Sequence, residues 1–190
     1  MRIDFISDVA CPWCAVGLNA LEQALDRLGE AIPVKLHFQP FELNPTMAPE
    51  GADAGEYLRG KYGMSEAQLA QNRVVLRERG AAVGFSFGDR ARVWNTFDAH
   101  RLLHWAGLPG QPAQAQRELK HALLRAYHGE GRNPGAPEVL ADAAAAAGLD
   151  VEEAREVLAS GRYADEVRAA EQHWQHAGIR SVPSFVIVFG

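Results

Sequence analysis

Cysteine is nearly missing from this chain, which carries two in 190 residues, Cys11 and Cys14. Long apolar runs are missing as well. No stretch approaches 18 consecutive apolar residues, which excludes a membrane-spanning helix. Positive charge is not in excess: 19 Lys and Arg against 24 Asp and Glu give a net charge of −5 and a pI near 5.8. That balance argues against a general nucleic-acid binder. The opening residues, MRIDFISDV, lack the long apolar region and small-residue cleavage site of a secretory signal. The expected address is therefore the cytoplasm, where reductants keep thiols free and disfavour a structural disulfide. No internal repeat or disordered linker interrupts the chain. What is present is ordinary globular composition, 47% apolar and 23% charged, over a length that suits one domain or one domain with a sizeable insertion.

The first forty residues change period twice. Ile3, Phe5 and Ile6 lie in an apolar run from Arg2 to Ser7, which reads as a buried strand. From Pro12 onward, Val16, Leu18, Leu21, Leu25 and Leu28 recur at three- and four-residue steps until Gly29, the pattern of a helix and its stop. Pro33 to Phe41 alternates again, with Val34, Leu36 and Phe38 on one face, and reads as a second strand. Strand, helix and strand make a βαβ unit with the cysteines at the first strand-to-helix junction.

Strand signals then vanish for about 140 residues. Glu42 to Gly55 is loop-like, and Ser65 with Gln68 forms a capping box opening a helix to about Gly80. Asn95 or Thr96 caps a helix whose stripe is Phe97, Leu102, Leu103 and Trp105. Further helices are expected over about 112–127, from Pro137 to Gly148, after Asp150, and over about 163–177. Trp94, Trp105 and Trp174 fall on helical faces as core or cleft lining. Ser184 to Phe189 follows Pro183 as a continuous apolar run, read as a third strand buried on both faces.

The spacing of Cys11 and Cys14 needs a reason, because two randomly placed cysteines would fall at this separation about once in a hundred chains. Half of a metal site, a structural disulfide and a redox dithiol all compete. A metal would need two more ligands from histidine or carboxylate. His100 and His104, or His173 and His176, are spaced along helices for such a role, but neither pair lies at finger-like distance from the cysteines. No metal is therefore expected: His100 is read as a partly buried residue lining a cleft, and His173 and His176 as facing solvent. The redox reading asks least. Pro12 suits the first position of a helix, and the helix N-terminus offers unpaired N–H groups and partial positive charge that favour a thiolate at Cys11. Thiols so placed have pKa values of roughly 3.5–7.5. Cys14 then lies one turn further in, placed to resolve a mixed disulfide on Cys11 without a cofactor. No lysine or histidine adjoins Cys11 in sequence, so this reading rests on the helix terminus. Trp13 is expected to be exposed between the thiols, and Ser7 and Asp8 are either partners of the motif or ordinary turn residues.

SDVACPWCAVG, FELNP at 41–45, NTFDAHRLLHWA at 95–106, AYHGEGRN at 126–133 and SVPSF at 181–185 together resemble the DsbA-like thioredoxin-fold family, and more narrowly its FrnE-type oxidoreductase branch. The resemblance implies an α/β, thioredoxin-like fold with a large all-helical insertion. Residues 1–41 with 178–190 would form the core and residues 42–177 the insertion. It also implies that Val182-Pro183 is a cis pair packed on the dithiol, leaving the Val182 backbone free to pair with a bound peptide. In this fold a further antiparallel strand and a helix follow the third strand. The sequence reaches Gly190 where that turn belongs, and either a C-terminal continuation or another chain covering this edge is expected. The implied activity is protein dithiol–disulfide exchange, with Cys11 and Cys14 catalytic, Pro12, Trp13, Val182 and Pro183 in support, and protein or peptide thiols as partners. Kappa-class glutathione transferases and 2-hydroxychromene-2-carboxylate isomerases are similar in architecture but typically carry serine where Cys11 stands. They supply an alternative reading, with glutathione as co-substrate and Asn95, Thr96 and His100 as binding residues. A third reading is a redox-responsive, chaperone-like module that binds peptide without turnover.

Overall fold

The computed structural model describes residues 1–29 and 32–189. Strand β1 (Arg2–Ser7) is buried from Ile3 onward because it is the middle strand of three. It pairs parallel with β2 (Lys35–Pro40) and antiparallel with β5 (Ser184–Val188), which returns from the far end of the chain. Phe5 stands opposite Phe38 on one side and Phe185 on the other, with ring centroids 5.9 and 5.1 Å away. One fully buried aromatic thus locks the register of both neighbours. The parallel pair needs a crossover, supplied by helix α1 (Pro12–Leu28), which starts at Pro12 and stops at Gly29 in a positive-φ conformation (φ 59°).

Between β2 and β5 the chain is mostly helical: α2 (Ala54–Tyr62), α3 (Glu66–Ala82), α4 (Phe97–Ala106), α5 (Ala115–Leu124), α6 (Pro137–Ala146), α7 (Val151–Ala159) and α8 (Ala164–His176). The capping box at Ser65 and Gln68 forms with both reciprocal hydrogen bonds, and Asp150 caps α7. Two features were absent from the sequence reading. Residues 54–62 are helical, capped by Asp53, although their apolar stripe is too short to register. A two-residue ladder joins β3 (Ala52–Asp53) to β4 (Arg92–Val93), the only sheet within the helical region among the described residues. Helix α5 ends in a π turn, Arg125–Gly129.

Two apolar centres form. Leu102, Trp105, Leu119, Tyr127, Leu140 and Val157 fill the space between the inserted helices. Phe5, Cys14 and Leu18 join Phe85 and Leu124 in the other, so the insertion packs directly against the dithiol end of the sheet. The expectation that β5 is buried on both faces is corrected: Phe185, Ile187 and Val188 are 42–49% exposed. Apolarity records what a strand can bury, whereas burial requires neighbours, and β5 is an edge strand paired on one side only among the described residues. The turn expected at Gly190 lies outside the described residues.

Helix α1 reaches the segment before β5 at Gly17, where a Cβ would stand 3.0 Å from Pro183 Cγ and 3.5 Å from the Phe185 ring. Gly17→Val is expected to lower stability by about 1–3 kcal/mol through overpacking, read as a reduced urea midpoint at unchanged slope.

Candidate active site

β1 delivers its last residues into a tight turn, with the Cys11 N–H donating to the Asp8 carbonyl at 3.2 Å. Cys11 takes the extended N-cap conformation and Pro12 begins the helix. Cys14 N–H then donates to the Cys11 carbonyl at 3.1 Å. Both cysteines are free thiols, Cys14 wholly enclosed and Cys11 about 5% exposed, while Trp13 between them is 43% exposed. The Val182-Pro183 peptide bond is cis, and the Val182 carbonyl oxygen lies 3.8 Å from Cys11 Sγ. The two thiols are electrostatically unequal. A hydrogen bond from Cys14 holds the Cys11 pKa below its ordinary value, helped by the N–H groups of Cys14 and Trp13 and opposed by burial and the Asp8 charge. Burial pushes Cys14 well above its ordinary value, and the neighbouring Cys11 adds to the rise. Cys11 therefore loses its proton first and Cys14 retains one.

Beneath the motif lies an enclosed polar layer. The Asp8 carboxylate accepts from Thr96 Oγ1 at 2.7 Å, from Leu43 N–H at 2.8 Å and from Ala10 N–H at 3.2 Å, and stands 3.2 Å from His100 Nε2. Burial alone would raise its pKa, but these hydrogen bonds and His100 hold it below the ordinary carboxylate range. Lys120, 1% exposed, is pushed down by burial and drawn back up by Cys14, Asp8 and Cys11. His128 donates from Nε2 to the Val9 carbonyl at 2.7 Å; burial, reinforced by the Arg90 charge, pushes its pKa down to about 3, so the ring is neutral. Arg90 donates to the Ala10 carbonyl at 3.2 Å and lies over the Tyr127 ring. The two carbonyls preceding Cys11 are thus pinned by side chains more than 75 residues away.

An open cleft of about 780 Å³ runs from Cys11, Trp13 and Val182 across to α2 and α3. Asn95, Thr96 and His100, expected as substrate or glutathione-binding residues, do not line this cleft. Thr96 and His100 are buried, at 3% and 2% exposure, and both are turned onto Asp8. Asn95 is occupied with Met47 O and with capping Phe97 N–H. Helical spacing locates a face, but hydrogen-bond demand from a buried carboxylate decided which way these side chains turn. His173 and His176 are exposed, as expected. The described residues contain no cluster of three or more His, Cys, Asp or Glu placed to hold a metal ion.

Lys120, His128 and Arg90 were missed. A signal existed for Lys120: it falls on the stripe with Leu123 and Leu124, where a cation needs a reason to be. The π turn that carries His128 left no readable trace, although such turns gather at functional sites. Glu42, which borders the cleft, shares a site with Glu171, and Arg168 contacts both carboxylates. Burial and the Glu171 charge raise Glu42 to about 7, and Glu171 is raised mainly by burial.

Two consequences are measurable. In a Cys11→Ser background, Lys120→Met should raise the Cys14 pKa further, seen as later onset of thiolate absorbance in a pH titration, because a facing cation is lost. Glu42 binds a proton in the folded state up to about pH 7, whereas an unfolded glutamate releases it near 4.3. The native state therefore holds more protons across that window, and stability falls as pH rises from about 4.5 to 7. Glu42→Gln, facing Glu171, Arg168 and His100, should lessen this decline, leaving the part due to Glu171, and raise stability at pH 8 by of order 1 kcal/mol, about 2–4 °C in Tm.

Comparison with known proteins agrees with this architecture. A probable DsbA oxidoreductase from Streptomyces coelicolor is 38% identical with a TM-score of 0.88, over 98% of this chain and 80% of that one. The uncharacterized protein YwbO of Bacillus subtilis (strain 168) is 26% identical over 98% of this chain and 86% of its own. The cytosolic disulfide reductase DsbM of Pseudomonas aeruginosa, solved with GSH, shares the fold at 18% identity and a TM-score of 0.64, over 98% of this chain and 86% of that one. The family model described as a DSBA-like thioredoxin domain matches residues 2–190, and the chain belongs to that family.

Proposed function

We propose that this protein is a thiol–disulfide oxidoreductase of the FrnE type, working through the Cys11–Cys14 dithiol on protein or peptide disulfides. The observation that carries the reading is the asymmetry of the two thiols: one at a helix N-terminus with a lowered pKa and an open cleft before it, the other enclosed and protonated. Cys11 thiolate attacks one sulfur of a substrate disulfide; a Cys11–substrate disulfide forms and one substrate sulfur leaves as thiolate, taking a proton. Cys14 then loses its proton and attacks Cys11 Sγ. The mixed disulfide breaks, the second substrate thiol departs, and the protein is left with a Cys11–Cys14 disulfide. Two electrons and two protons have passed to the substrate. A thiol reductant must return them for turnover, and glutathione is the proposed donor, consistent with its presence in the DsbM structure of the same fold. The proposed setting is the cytoplasm.

The isomerase or transferase reading is the less favoured because Cys11 stands where those relatives typically carry serine, and because Asn95, Thr96 and His100 are engaged within the protein.

Cys14→Ser should stall as a stable mixed disulfide with substrate, retained on non-reducing gels, and Cys11→Ser should abolish exchange. Wild-type protein equilibrated with glutathione should show one two-electron transition between roughly −120 and −270 mV, followed by Trp13 fluorescence. An isomerase would be indifferent to Cys14→Ser, and a binding module would hold unfolded chains without trapping them covalently.

A further inference from the structure

The cleft beside Cys11 is segregated by charge in a way the whole protein is not. The chain carries more acids than bases. Yet the cleft is lined by five cationic side chains, Lys61, Arg73, Arg77, Arg90 and Arg180, and among the described residues by one carboxyl, Glu42. That carboxyl is 8% exposed and bridged by Arg168, so it contributes little negative field to the opening. The cations come from four segments of the chain. Arg180 precedes Ser181 and Val182, whose carbonyl touches Cys11, and Arg90 holds the Ala10 carbonyl on the other flank. Arg73 and Arg77, one turn apart on α3, face across from α2, where Lys61 sits. Arg77 is paired with Asp89 and Lys61 with Leu43 O and Asn44. Arg73 and Arg180 are exposed and make no ion pair or side-chain hydrogen bond among the described residues. The rest of the lining is mostly apolar and includes Trp13, Leu69, Leu76 and Phe87.

Resting on the exchange activity proposed above, we infer that this cleft selects peptide segments whose disulfide is flanked by acidic side chains. An apolar cleft bordered by five cations, two of them without a partner among the described residues, attracts a segment that is both apolar and anionic, and repels a basic one. The volume of about 780 Å³ lies in the upper part of the range of about 300–1,000 Å³ that accommodates whole small ligands, which leaves room for side chains on both sides of the cystine. Arg180, two residues before the Val182 carbonyl that touches Cys11, and Arg73, on α3, both line the cleft, so acidic residues flanking the disulfide have a cation to meet. The selection acts on encounter and on the mixed disulfide. The electron balance is that of the exchange itself.

The test uses the full-length reduced protein and three cystine peptides of equal length, flanked by Glu, by Gln or by Lys. Exchange rates are read by stopped-flow tryptophan fluorescence at about 20 mM and about 500 mM salt, where screening lengths differ several-fold. The Glu peptide should react about tenfold faster than the Gln peptide at low salt and the Lys peptide more slowly, the spread shrinking at high salt. In Arg73→Gln/Arg180→Gln the Glu-to-Gln rate ratio should fall to within about twofold of one. In Arg73→Lys/Arg180→Lys, and in Arg155→Gln on the exposed face of α7, the ratio should stay near the wild-type value. Equal rates for the three peptides, or a ratio that the double Gln variant leaves unchanged, would overturn the charge selection while leaving exchange intact. Oxidised glutathione reacting as fast as the Glu peptide would overturn the peptide-sized occupant. No reaction with any of these disulfides would overturn the exchange reading beneath it.

Discussion

The Asp8 carboxylate, fully enclosed where β1 gives way to α1, collects hydrogen bonds from three separate stretches of chain. Ala10 N–H comes from its own turn, Leu43 N–H from the loop after β2, and Thr96 with His100 from the start of α4. A buried carboxylate is costly unless its lone pairs are satisfied, and breaking such a set by removing one partner typically costs about 3–5 kcal/mol. That penalty fixes the inserted helices against the sheet at one place. It also fixes the position of Cys11, three residues further on, whose N–H donates to the Asp8 carbonyl.

From this anchor the dithiol acquires its asymmetry. The helix N-terminus faces Cys11, while the next turn carries Cys14 into the apolar centre formed by Phe5, Leu18, Phe85 and Leu124. Asp8 opposes the thiolate at Cys11, and Lys120 favours a thiolate at Cys14. A lysine with 1% exposure makes no sense as packing alone. Its charge offsets that of Asp8 and of whichever sulfur is ionised, which keeps the enclosed layer near neutrality. His128, held neutral by burial, takes no part in that balance and serves as a strut to the Val9 carbonyl.

The cleft is built by different means. α2 and α3 stand off from the sheet and leave apolar side chains facing an open space instead of a core. Arg90 belongs to both systems, since it pins the Ala10 carbonyl and also borders the cleft. Arg90 is thus also a positional element, whereas Arg73 and Arg180 make no ion pair or side-chain hydrogen bond among the described residues.

Local periodicity determined much of this protein. The 3.6-residue stripe from Val16 to Leu28, the alternation after Pro33, Pro12 at a helix start and the Ser65 capping box each depend on neighbours a few residues away, and each is present. The family, the dithiol and the Val-Pro pair were legible for the same reason: they are short motifs with fixed spacing. Tertiary structure decided the rest. Asn95, Thr96 and His100 sit on a helix start whose position the sequence predicts, but only the buried Asp8 and the neighbouring loop determine that they turn inward. β5 has the composition of a buried strand and lies at an edge, because burial depends on what the rest of the chain places beside it. Lys120 and His128 reach the dithiol across more than a hundred residues, and the cations of the cleft converge from four segments. Those encounters are long-range consequences of packing, and no local pattern records them.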